Sequence, residues 1–90
     1  MIYKSESGDI NLEKLTRLYP AALIESQGER AEMSLEWIEL NSDKVNLLHY
    51  VLVFDFTPHG SDKKERIVLK FEQKELLFNT MENVSKLFKN

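Results

Sequence analysis

One stretch of this chain is apolar at every parity. Between residues 45 and 57, Val45, Leu47, Val51 and Val53 occupy odd positions, while Leu48, Tyr50, Leu52, Phe54 and Phe56 occupy even ones. Successive side chains of a strand point to opposite faces, so such a strand needs cover on both sides. It belongs at the centre of a sheet, and the rest of the chain must supply its neighbours. With 90 residues there is material for one domain and one small core.

Flanking strands are found by their alternation. Residues 31–40 place Ala31, Met33, Leu35 and Trp37 at one parity and Glu32, Ser34, Glu36 and Ile38 at the other. Asn41-Ser42-Asp43-Lys44 is a polar turn cluster. Used as a four-residue loop, it pairs Leu40 with Val45. Trp37, Leu35, Met33 and Ala31 then face Leu48, Tyr50, Leu52 and Phe54. A one-residue slip destroys that match. Residues 21–26 form a further short strand, turning at 27–30, with Ile24 opposite Met33 and Ala22 opposite Leu35. After the turn at Pro58-His59-Gly60, residues 66–72 bring Ile67, Leu69 and Phe71 beside Phe56, Phe54 and Leu52. The expected architecture is α+β, with a four-stranded antiparallel meander. Ile2 and Tyr3 suit a short fifth strand at the N-terminus.

Two helices are expected on the aromatic face of this sheet. The first begins at Asn11, a good N-cap, presents Leu12, Leu15, Leu18 and Tyr19, and is ended by Pro20. The second spans residues 74–88, where Leu77, Met81, Val84 and Phe88 fall at helical spacing. Asn79 followed by Glu82 offers a later start near Thr80, with 76–78 as an extra strand. Trp37 is expected in the core, so Trp37→Ala should cost about 3–5 kcal/mol.

Composition narrows the chemistry. Without cysteine there are no disulfides, zinc–thiolate sites or thiol nucleophiles. The three glycines are isolated, so no phosphate-binding loop or dinucleotide fingerprint is present. No apolar run is long enough to span a bilayer, and no signal peptide is read at the N-terminus. A net charge of −3 disfavours nucleic acid as a partner. The basic candidates are Lys63, Lys64 and Arg66 in one loop, with Lys86 and Lys89 near the C-terminus. Replacing the three loop residues by alanine is expected to leave function intact. Small size and nine lysines to three arginines suit a bacterial cytosolic protein with no cofactor.

Candidate chemical groups are few. His49 and Glu36 face each other across the expected hairpin, at about 5 Å between β-carbons. Glu32 and Glu36 are roughly 13 Å apart on a strand, too far for a glycosidase pair. His59 and Asp62 supply only two metal ligands. The more informative feature is the second sheet face, where Ile38, Leu47, Val51, Val53 and Val68 form an aliphatic group joined by His49 and rimmed by Glu32, Glu36, Arg66 and Lys70. A solvated face is mostly polar. These residues are therefore expected to form an interface with a protein partner or a second copy of the chain, with no membrane involved, and Val51→Lys should disrupt association without unfolding the monomer. A non-enzymatic interaction or accessory domain is the expected function. The alternative is a small-ligand binder or enzyme using the helix–sheet crevice or the Glu36/His49 pair.

Overall fold

The computed structural model describes residues 1–6 and 8–88. The chain is α+β with antiparallel sheets, in the order β1 (Ile2–Ser5), β2 (Gly8–Asn11), β3 (Arg17–Ser26), β4 (Glu29–Met33), α1 (Leu35–Asn41), β5 (Asn46–Asp55), β6 (Arg66–Phe71) and α2 (Lys74–Lys86). β1 and β2 form a two-stranded hairpin. The other four strands form one sheet in the order β4-β3-β5-β6.

The doubly apolar strand is β5, and it lies inside the sheet between β3 and β6. Its residues Val51 to Phe54 are all buried. Leu52 and Phe54 point to one face, where Ile10 and Leu12 from the N-terminal hairpin meet Leu77 and Val84 of α2. The Tyr3 ring stacks on Phe54 at a centroid distance of 6.2 Å. α2 runs as its early-start pattern required. It is followed by Leu87, whose amide bonds back to the Val84 carbonyl at 3.0 Å.

Four expectations need correction. First, no helix follows Asn11. The Asn11 side chain does cap a backbone amide, accepting from Glu13 at 3.0 Å, but it closes a turn. Residues from Arg17 onward are strand, and Pro20 lies within β3 opposite Leu52. Proline is tolerated there because β4 stops at Met33, opposite Ala22, so this part of β3 has a neighbouring strand on one side only.

Second, residues 31–40 are not one strand. β4 ends at Met33, and Ser34 caps α1, its hydroxyl accepting from the Trp37 amide at 3.1 Å. Ile38 is therefore a helix residue, buried against Ala22 and Ile24. Third, the hairpin joining 31–40 to 45–54 does not form. β5 pairs with β3 instead, and α1 carries the chain from β4 past β3 to the far side, so the sheet is not a meander.

Fourth, the β3–β4 loop holds two residues. Gln27 and Gly28 have φ values of 52° and 80°, the left-handed conformations of a tight hairpin turn. The shorter loop moves the pairing by two residues, to Ala22–Met33 and Ile24–Ala31. The β5–β6 pairing also moves by two, to Phe54–Ile67, Leu52–Leu69 and Tyr50–Phe71. A shift of two keeps every side chain on its expected face.

These positions rank two aromatic truncations. Phe54 is fully buried, whereas Trp37 is half-buried on the flank of α1. Phe54→Ala should cost about 3–5 kcal/mol and Trp37→Ala less than about 3 kcal/mol, as measured by urea denaturation. Equal losses would place Trp37 deeper than α1 allows.

Candidate interaction surface

The residues expected to form an interface on the second sheet face are divided by the fold. Ile38 leaves that face for the helix side of the sheet. Val51 and Val53 remain on it but are buried together with Ala21, with Tyr19 packed against them. Leu47 and Val68 are exposed, and His49 is half-buried opposite Leu23. Glu36 is exposed on α1, so the cross-strand partnership with His49 has no hairpin to create it.

Val53 has an exposure of 0%, and Tyr19 packs against its cluster. The cover is made by side chains of the same face. Arg17 lies over the Tyr19 ring with its guanidinium 4.7 Å from the centroid, and Arg66 approaches the same ring at 6.0 Å. One nitrogen of Arg66 also donates to both carboxylate oxygens of Glu32 at 2.8 Å. Arg66 is on β6 and Glu32 on β4, the two outer strands. In a flat sheet those strands stand roughly 14 Å apart. The ion pair therefore requires a twisted sheet whose outer strands approach on this face, and Arg66 lies beside the Tyr19 ring that packs on the valines.

Asp55 completes this end of the sheet, paired in register with Arg17 on β3 and Arg66 on β6. Its carboxylate accepts from the Thr57 amide at 2.9 Å. Hydrogen bonds from the Thr57 side chain and backbone, aided by Arg17 and Arg66, hold its pKa below the ordinary carboxylate value. The hydrogen bond to Glu32 raises the pKa of Arg66, which stays charged. Arg66 is thus engaged on the sheet and does not join Lys63 and Lys64 as a loop cation.

The outer edge of β6 differs from this closed face. The Phe56 amide donates to the Glu65 carbonyl at 2.7 Å, in line with the β5–β6 register. Hydrogen-bonded pairs alternate in an antiparallel ladder, so 54–67, 52–69 and 50–71 are the bonded pairs. Arg66, Val68 and Lys70 consequently turn their N–H and C=O groups away from β5, where no strand follows among the described residues. Ile67 and Val68 are each 41% exposed, and Leu76 of α2 is 50% exposed. A groove of about 380 Å³ runs beside this edge, lined by Tyr3, Leu69, Phe71, Leu76 and Thr80 among others. The opposite edge, β4, carries Glu29, Arg30 and Glu32 in five residues. Charges of that kind discourage strand pairing.

A second, more open cleft of about 770 Å³ lies at the end of the sheet, where Glu13 and Lys14 approach Phe56, Pro58, Glu65 and Ile67. Among the described residues no three metal-ligating side chains come together, and no helix is long and apolar enough to cross a membrane. The β6 edge is not legible from the alternation of residues 66–72, which assigns faces but not edges. Among the described residues β6 is the last strand in chain order, and it pairs only with β5. Comparison with protein-family models, curated proteins and solved structures finds no match for this chain.

The lowered pKa of Asp55 fixes a pH response. A carboxylate with a depressed folded-state pKa stabilises the fold above its unfolded value of about 4, and that contribution is lost as pH falls through the folded value. Asp55→Asn should lower the urea midpoint at pH 7 and reduce its decline below about pH 4. An unchanged acid decline in the variant would remove Asp55 from the cause.

Proposed function

We propose that this protein is a non-enzymatic interaction domain that binds an extended polypeptide segment by strand addition at the outer edge of β6. The observation that carries this reading is the combination of outward-turned backbone groups with exposed apolar side chains on one edge. Arg66, Val68 and Lys70 offer alternating donors and acceptors, while Ile67 and Val68 present apolar surface on the two faces. An added strand satisfies the backbone groups and buries that surface, and neighbouring side-chain positions set the preference for its sequence.

The second sheet face is a weaker candidate for the docking surface than its aliphatic sequence implied. Ala21, Val51 and Val53 are covered by their own chain, and a register shift in the β3–β5 pairing sets Leu47 opposite Ile24 of the helix side, so Val68 is the exposed aliphatic residue left from that group. Val68 belongs to both surfaces, as it stands on the outermost strand.

The test is a titration of labelled protein with a synthetic heptapeptide copying residues 66–72, and with heptapeptides of other alternating apolar sequences. Strand addition predicts that amide chemical shifts move chiefly at Arg66, Val68 and Lys70. Shifts centred on Glu13, Lys14 and Glu65 would favour a ligand cleft and overturn the proposal. An absence of binding by every peptide would also overturn it.

A further inference from the structure

We infer that the strand added to β6 is β6 of a second copy of this chain, joined antiparallel about a two-fold axis at Leu69, so that two four-stranded sheets become one of eight strands. This inference rests on the strand-addition reading and names its partner.

The register follows from backbone direction and charge. New hydrogen bonds must be made by the residues of β6 that face outward, which are Arg66, Val68 and Lys70. Around a two-fold axis this leaves few arrangements. With Val68 on the axis, Arg66 stands opposite Lys70 of the other copy, a like-charge pair repeated by symmetry. An axis at Lys70 sets two lysines against each other. With Leu69 on the axis, Val68 faces Lys70 and Ile67 faces Phe71, while Arg66, already paired with Glu32, stands across from the end of the other β6. Val68 and Lys70, both outward, then meet each other, the two apolar positions on the helix side meet each other, and no like charges within β6 are opposed. Directly opposed opposite charges stabilise antiparallel strands, and like charges destabilise them.

Symmetry strengthens the match, because each favourable pair occurs twice in an isologous interface. The groove bounded by Leu69, Phe71 and Leu76 borders the same edge. It leaves apolar side chains of the helix side accessible where the second copy would approach.

The chain has no cysteine, so single thiols can report the geometry. Residue 69 on the axis is a non-hydrogen-bonded pair with Cα atoms about 4.5 Å apart, within disulfide reach. Leu69→Cys should therefore oxidise to a linked dimer. Ile67→Cys and Phe71→Cys should each stay unlinked alone, since like positions lie roughly 13 Å apart, but should link when mixed. This mixed pair keeps the test valid if Leu69→Cys fails to fold, as checked by circular dichroism. Sedimentation equilibrium of the native protein should give twice the chain mass, and Val68→Pro, which deletes an outward N–H from each copy, should weaken association roughly tenfold or more.

A native dimer without these cross-links would overturn the inference. So would a protein that is monomeric at every concentration. If that monomer still binds the heptapeptides at Arg66, Val68 and Lys70, the strand-addition reading stands and only the identity of its partner fails.

Discussion

The burial of β5 on both faces is the constraint to which the other elements respond. Leu52 and Phe54 must be covered on one side and Val51 and Val53 on the other. The chain meets these demands by different means. On the first side it places the N-terminal hairpin, α1 and α2, whose apolar side chains form a conventional core. On the second, Tyr19 packs against the valines, and Arg66, paired with Glu32, approaches the Tyr19 ring. A partly exposed ion pair of this kind adds little stability by itself.

This division explains which surface remains for a partner. Covering Val53 internally uses the second face that the sequence pattern marked as unpartnered. What is left uncovered is the strand at the rim. β4 is protected by its charges, while β6 ends in exposed Ile67 and Val68 beside the exposed Leu76. Open edges with apolar side chains are the sites where sheets join. The exposed edge of β6 is thus a consequence of how the core was completed.

Much of this was legible in the sequence, and the losses have identifiable causes. Strand parity was readable: Ile67, Leu69 and Phe71 share a face with Leu52 and Phe54, although the register differs by two residues. The spacing of Leu77, Met81 and Val84 located α2. Residues 31–40 misled because Leu35 and Trp37 extend the alternation begun by Ala31 and Met33. The deciding local signal was Ser34, followed by an acidic first turn at Glu36 and by Ile38 three residues beyond Leu35. Asn11 misled in the opposite direction, since its side chain serves a turn as readily as a helix. The pairing of β3 with β5 across an intervening strand and helix depends on contacts distant in sequence, which local periodicity does not encode. The Arg66–Glu32 pair is a product of that same topology, because it joins the two outer strands of the sheet.

Residue-resolved amide hydrogen exchange, followed from dilute to concentrated protein, tests the central claim most directly. The fold pairs Ile67 and Leu69 with β5 and turns Val68 and Lys70 outward. Ile67 and Leu69 should therefore exchange slowly at every concentration. Val68 and Lys70 should exchange fast when dilute and slow down as concentration rises. Equal, concentration-independent protection of all four amides would contradict the account, since it would mean that the edge of β6 is already covered by its own chain.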